Sequence, residues 1–285
     1  MLATVRRCRM VMTYVVGLLL AMLVAAVPAR SDSYQVYDSF GKHFFRAPPE
    51  RTVVTDWTLL EQLLALDVVP VGAPELQSYR RVMPFETLPE SIGDIGLREK
   101  PDLDRVAALR PDLIIVGTDQ KQLARPLSRI ARVLFYQNFS PRFDNNGATA
   151  LKRLRQLSEV FQQQITADRE LDALRREREE GRARLQRGRS AAEPVTLVKQ
   201  YRGTSLIRYS SHSLFGWVVT ELGLKNRLDI EVNKFGELRS NELNSGDLFP
   251  GRVVCIGPCD LEARLSLKRD VTIGRVTDAW PYGGV

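Results

Sequence analysis

A chain of 285 residues is too long for one minimal core and fits one large or two medium domains, and its 44% hydrophobic and 26% charged residues are ordinary for a globular protein. The formal net charge of +7 raises the question of a polyanion partner. Arg6, Arg7 and Arg9 lie in a segment expected to be removed, and without these three the 41 basic residues fall to 38 against 34 acidic ones. That small excess, with no Lys or Arg run interleaved with aromatics, argues against nucleic acid as the ligand.

The N-terminus carries the first signal. Arg6, Arg7 and Arg9 form a basic region, Met10 to Val27 is almost wholly apolar, and Val27-Pro28-Ala29 offers small residues at the two positions a signal peptidase reads. This is the pattern of a secretory signal peptide over residues 1–29. The apolar stretch is also long enough for a membrane anchor, but the small-residue site directly after it favours cleavage. "VRRCRM" fits a twin-arginine signal poorly, and no Cys follows the apolar stretch to take a lipid. The expected location is the periplasm, free of a lipid anchor.

From Arg51 onward, strand and helix signals alternate. "TVVT" reads as a strand, and "DWTLLEQLLALD" as a helix capped by Asp56, with Trp57, Leu60, Leu63 and Leu64 at helical spacing. "VVPVGA" reads as a strand, Asp102 to Leu109 as a short helix between prolines, and "LIIV" as a buried strand. "KQLARPLSRIA" then reads as helix and "RVLFY" as strand. Such a rhythm predicts a mostly parallel sheet covered by helices, the N-terminal α/β lobe of residues 30–145. The stretch from Ala148 to Arg187 has no Pro and one late Gly, and it reads as one long helix or two in line over 146–190, joining two lobes. Its apolar seam is too short for a coiled coil. In the second lobe, 191–285, "VTLVKQ", "SLIRYS", "RVVCIG" and "DVTIGRV" read as strands. "SLFGWVVTELGL" reads as a helix with Ser213 at its start and Gly223 at its end.

Of three cysteines, Cys8 precedes the apolar stretch, while Cys255 and Cys259 flank a Gly-Pro turn in "CIGPC". In an oxidising compartment they form a disulfide or remain two buried thiols; the sequence leaves both open. The two histidines, His43 and His212, lie far from that pair and from each other, so no zinc constellation is supported.

The stretch "VVTDWTLLEQLLALDVVPVGAPELQSYRRVMPFETLPESIGDIGLREKPDLDRVAALRPDLIIV" resembles the N-lobe of the periplasmic binding proteins of hydroxamate-siderophore import, the ferrichrome-binding type. It has their order of a strand, a Trp-led helix, "VVPVG", a Tyr-Arg segment, "DIGLR" and "RPDLIIV". More thinly, "SHSLFGWVVTELGL", "NKFGE" and "AWPYGG" resemble segments of that family's second lobe. The resemblance runs from about Arg51 to the C-terminus. It implies a class III periplasmic binding fold: two α/β lobes joined by one long rigid helix, with ligand in the cleft and no catalysis. The family pattern continues with a C-terminal helix; this sequence stops at Val285, so the expectation is a second lobe without it.

The same resemblance implies that Arg98 points into the cleft and donates to hydroxamate oxygens around iron, a task suited to a permanently charged planar fork of donors. Read alone, without the resemblance, Arg98 is better taken as a surface residue paired with Glu99 or Asp94. Trp57, Phe235, Trp280 and Tyr282 match pocket-lining aromatics, with Tyr79 and Arg80 on the same rim. Where the family places a Tyr after its "LIIV" strand, this chain has "GTDQKQ", so Gln120 or Thr118 takes that place. Glu242 is a candidate for docking onto the permease of an ABC importer in the inner membrane. Iron travels within the siderophore, so no cofactor and no protein metal ligand are expected, and the protein is expected to act as a monomer. Two alternatives remain: the same fold binding cobalamin, haem or ferric citrate, or a periplasmic enzyme acting on an iron chelate. Ser210, Ser211 and His212 invite the enzyme reading, but neighbours in sequence rarely form a triad and no G-x-S-x-G elbow is present.

Overall fold

A computed structural model describes residues 33–82, 88–143, 145–187, 194–200, 205–228, 232–240, 251–256 and 271–276. Two short strands come first, β1 (Tyr34–Tyr37) and β2 (Lys42–Phe45). Between them Asp38 Oδ1 accepts the amides of Phe40 and Gly41, each at 2.8 Å, and its Oδ2 accepts that of Phe135 at 2.8 Å.

The first α/β sheet has five strands, β3 (Thr52–Val54), β4 (Gly72–Ala73), β5 (Gly93–Asp94), β6 (Leu113–Val116) and β7 (Arg132–Phe135). Their spatial order is β5-β4-β3-β6-β7 and every pairing is parallel. Every residue of β3 and β6 is buried, as a sheet covered on both faces requires, and this is why "TVV" and "LIIV" are runs rather than alternations. Helices α1 (Trp57–Ala65), α2 (Leu76–Val82) and α3 (Leu103–Ala108) fill the crossovers. Val53, Ile95, Val106, Ile114, Val116, Leu127 and Phe135 form one core cluster here. The predicted strand in "VVPVGA" shrinks to two residues, and the predicted helix in "KQLARPLSRIA" is a 3-10 turn, Thr118–Leu123, followed by the short α4 (Ala124–Leu127).

The joining segment is not one helix, nor two in line. It forms α5 (Asn146–Phe161) and α6 (Gln164–Arg187), separated at Gln162, which adopts the left-handed conformation with φ 54° and ψ 39°. The Gln163 amide reaches back to the Ser158 carbonyl at 2.8 Å, closing α5 in the manner of a Schellman cap. The chain then folds back, so that Arg155 of α5 meets Asp168 of α6 at 3.5 Å. Helix α5 starts against the second lobe, where Asn146 N donates to the His212 carbonyl at 3.0 Å. It continues onto the first lobe, where buried Arg153 donates through Nη2 to the Gln137 carbonyl at 3.0 Å. Helix α6 runs the other way. Arg169 pairs with Asp67 at 3.3 Å near its start, and Arg182 Nη2 donates to the Glu221 carbonyl at 2.7 Å further on.

The second sheet contains β8 (Val195–Gln200), β9 (Leu206–Tyr209), β10 (Glu237–Ser240), β11 (Gly251–Ile256) and β12 (Val271–Val276), in the order β10-β9-β8-β11-β12. It is mixed rather than mostly parallel: β8-β11 and β11-β12 pair in parallel, β8-β9 and β9-β10 antiparallel. Too few residues separate Gln200 from Leu206 for a crossover, so β8 and β9 return on themselves. Helix α7 (Leu214–Glu221) is capped by Ser213 Oγ, which accepts the Gly216 amide at 2.9 Å. Cys255, buried in β11, is disulfide-bonded. Cys259, Glu242, Trp280, Tyr282, the leader segment and the C-terminal residues lie outside the described residues.

Helices α5 and α7 meet where Gly147 lets the backbone approach the Trp217 ring; a Cβ there would lie 2.1 Å from Trp217 Cδ2. Gly147→Ala is expected to destabilise the protein by about 1–3 kcal/mol, although Ala favours an isolated helix by up to about 1 kcal/mol. Urea unfolding of the two proteins measures it; equal stability would mean that the indole moves aside freely.

Candidate ligand-binding site

The segments after β3, β6 and β7 emerge together at the carboxyl ends of parallel strands, where open α/β sheets place their ligands. One side chain stitches all three. Asn138, after β7, donates through Nδ2 to Asp56 Oδ1 at 3.0 Å, and its Oδ1 accepts the Thr118 amide at 3.0 Å and the Thr118 hydroxyl at 2.6 Å. Asp56 in turn caps α1 by accepting the Leu59 amide at 3.1 Å. Behind it stands Gly117, where a Cβ would lie 2.7 Å from Asp56 Oδ2, so only bare backbone fits. Burial pushes the Asp56 carboxyl above its ordinary range, while the amide and hydroxyl donors at the helix start and the positive Arg98 pull the other way.

Directly after the cap, Trp57 presents its ring to Arg98, whose Cζ stands 3.9 Å from the ring centroid. The opposing restraint is Glu75. Arg98 Nε donates to Glu75 Oε2 at 2.9 Å, and the Arg98 amide to Oε1 at 3.3 Å. Glu75 adopts φ 51°, a left-handed backbone that is uncommon for a residue other than glycine. Among the described residues neither Nη of Arg98 has an acceptor, so its outer fork remains available to a ligand. The partner is therefore Glu75, and neither Glu99 nor Asp94 takes that role.

These groups line a cavity of about 610 Å³. The first lobe contributes Asp56, Trp57, Thr58, Glu75, Arg98, Glu99, Asp119, Gln120, Gln122 and Phe139. The second contributes Tyr209 from the end of β9, Ser213, Leu214 and Phe215 from the start of α7, Phe235 just before β10 and Glu237 at its first position. Phe139 and Phe235 meet edge to face with centroids 5.0 Å apart, and Lys234 forms an ion pair with Asp119 beside them. Burial also pushes the Tyr209 phenol above its ordinary value.

Of the residues singled out in the sequence, Arg98, Trp57, Gln120 and Phe235 share this cavity. Trp57 offers a ring face but no donor, because its Nε1 is committed to the Pro74 carbonyl at 2.9 Å. Tyr79 is not on the rim. It is fully buried and packs edge-on behind Trp57, with centroids 5.4 Å apart, because the apolar side of α2 faces the lobe interior. Its neighbour Arg80 points outward and does not line the cavity, being one position further round the same helix. Thr118 is engaged with Asn138, whereas Gln120 lines the cavity. Glu75, Asn138, Phe139, Tyr209 and Phe215 were not singled out. Phe139 and Asn138 follow "RVLFY", and the carboxyl-end rule applied to that strand would have found them.

The Asp56 carboxyl gives a stability signature. Its value is raised above the ordinary 3.8, so the folded state holds that proton more tightly than the unfolded chain does. Its contribution favours folding below the ordinary value and is lost as pH rises through the raised one. Asp56→Asn keeps a capping oxygen and removes this dependence. The stability of the variant relative to the parent is expected to rise as pH increases above the ordinary carboxylate range, read by urea unfolding at each pH. A difference independent of pH would contradict the assignment.

Residues 52–238, well over half the chain, match the family model of a periplasmic binding protein. The iron(3+)-hydroxamate-binding protein FhuD of Escherichia coli (strain K12) is 28% identical over 200 residues, 68% of this chain and 64% of that protein. The Fe(3+) dicitrate-binding periplasmic protein FecB of the same strain is 29% identical over 113 residues, 39% of this chain and 38% of that protein. The chain thus spans less than two thirds of the length of these curated relatives. The crystal structure of Fe3+-Desferal bound siderophore binding protein FhuD from Vibrio cholerae superposes with a TM-score of 0.72 at 31% identity, covering 82% of this chain and 91% of that one. With paired α/β lobes, helices bridging them and a cavity at their strand ends, the chain belongs to the periplasmic binding protein family and has its class III fold.

Proposed function

We propose that this protein is the periplasmic substrate-binding component of an ABC importer and that its cargo is an iron(III)-hydroxamate siderophore. The observation that carries this reading is Arg98, pinned by Trp57 and Glu75 with its outer fork unoccupied among the described residues. Hydroxamate oxygens around a ferric ion are closely spaced and electron-rich, and a fixed guanidinium fork matches them better than a mobile ammonium. Rings from both lobes supply apolar walls at small entropy cost. The chelate already fills the oxygen shell of the iron, so the protein supplies no metal ligand and no cofactor. A relative named as an iron(3+)-hydroxamate-binding protein, and a siderophore binding protein solved with Fe3+-Desferal, support the ligand class.

A carrier also suits the chemistry available. Ser210 Oγ donates to the Gly236 carbonyl at 3.1 Å and His212 Nε2 to the Ser140 carbonyl at 2.9 Å, so this run is not a serine–histidine couple. No helix among the described residues is long and apolar enough to cross a membrane. A cleaved leader at residues 1–29, a monomeric mature chain and delivery to an inner-membrane permease complete the reading. The match to FecB keeps ferric citrate as the second reading. A multiply anionic chelate fits poorly here, because Arg98 is the one basic residue among the described cavity-lining ones.

Titration of the mature protein with the ferric complexes of ferrichrome, ferrioxamine and aerobactin, followed by tryptophan quenching, tests the reading. Binding to at least one in the micromolar range or tighter is expected. Arg98→Ala should weaken it by about tenfold or more, the cost of losing hydrogen bonds from a charged donor. Arg98→Lys should recover only part, since the charge stays and the fork is lost. Absence of binding to all three would remove the function, and unchanged affinity in Arg98→Ala would remove the residue from the site.

A further inference from the structure

The cavity is lined by more negative charge than a hydroxamate core needs. Among the described lining residues, Asp56, Glu75, Glu99, Asp119 and Glu237 are acidic and Arg98 alone is basic. Four of these carboxylates are occupied. Asp56 caps α1, Glu75 holds Arg98, Asp119 pairs with Lys234, and Glu237 lies 3.4 Å from Arg239 Nη2. Glu99 differs: it is exposed, it lines the cavity beside Arg98, and among the described residues its carboxylate has no hydrogen bond or ion pair. A second and independent observation comes from Gln120. That side chain lines the same cavity and is 3% exposed, yet its Oε1 has no hydrogen-bond partner among the described residues. A buried acceptor in this state needs a donor from whatever fills the cavity.

We propose that the site selects ferric hydroxamates that carry a positive charge, with the pendant ammonium received at Glu99 and an amide N–H of the ligand at Gln120. This inference rests on the hydroxamate reading above and refines it. A hydroxamate complex of ferric iron is neutral at its core, so the sign of its pendant group sets the net charge that meets this wall. A cation gains from Glu99 and from the surrounding acids, whereas an anion is repelled by them. Both effects weaken as salt shortens the screening distance.

One scaffold tests the sign without changing the core: ferrioxamine B with its free ammonium, its N-acetyl derivative, which is neutral, and its N-succinyl derivative, which is anionic. Affinity is expected to fall in that order by about threefold or more per unit charge at low ionic strength, with a smaller spread in high salt. Glu99→Gln should compress the series and Glu99→Lys should invert it. Circular dichroism, together with measurable binding of the acetylated complex, establishes that each variant is folded. Gln120→Leu, with the acceptor removed, should weaken all three complexes alike. Equal affinity along the charge series, or a series that Glu99→Gln leaves unaltered, overturns the inference and leaves the hydroxamate reading standing. Failure of all three complexes to bind overturns the inference, and it removes the hydroxamate reading as well only when the ferrichrome and aerobactin complexes also fail to bind.

Discussion

A guanidinium held between an indole face and a carboxylate, with its outer nitrogens unspent, is the contact on which the cavity is organised. Arg98 has to be fixed without being neutralised, and the two restraints divide that work. Trp57 holds the plane of the group 3.9 Å from its ring, and Glu75 engages Nε, the nitrogen furthest from the fork. Each restraint has its own support. Trp57 is fixed by the Asp56 cap at its helix start, by the Pro74 carbonyl on its Nε1 and by Tyr79 against its ring. Glu75 is set by an unusual backbone conformation at φ 51°. Two separate stretches of chain, around Trp57 and around Glu75, therefore converge to orient one side chain, as a preorganised binding group requires.

The two lobes meet that group from opposite sides and are tied together by several contacts rather than by a single tether. The α5–α6 hairpin touches both lobes on its outward and return legs. Nearer the cavity, Lys234 meets Asp119, Phe235 meets Phe139, and His212 reaches the Ser140 carbonyl. Separating the lobes widely would break an ion pair, a ring contact and a hydrogen bond together. This arrangement favours small adjustments about the helical pair over a wide hinge motion.

The electrostatics of the cavity follow from how its acids are housed. Asp56 is buried at a cost, and that cost is offset by helix-end amides and by Asn138, so its place is structural. Glu75 serves Arg98, and Asp119 closes onto the second lobe. The charge left over is negative and lies beside Arg98, the one basic group among the described cavity-lining residues. On the reading proposed above, such a site would hold the chelate core with a cation and sort its periphery by sign.

Much of this was legible in one dimension. A short, β-branched apolar run such as "LIIV" between turn signals suits a strand covered on both faces, and Asp56, Asp102 and Ser213 ahead of apolar periodic segments announced helix starts. The family pattern brought Arg98, Trp57, Gln120 and Phe235 forward, and all four share the cavity. Other features had no local signature. The reversal at Gln162 uses neither Gly nor Pro, because a left-handed cap on glutamine is stabilised by the packing of α5 against α6 and not by its own preference. The strand-return between β8 and β9, the withdrawal of Tyr79 into the core and the convergence of Glu75 and Asn138 on residues far along the chain were decided by packing. Sequence determines which residues prefer which local structure and which must be hidden from water. Which of them then meet, and which charge is left without a partner, depends on distances across the sheet ends that exist only once the lobes have formed.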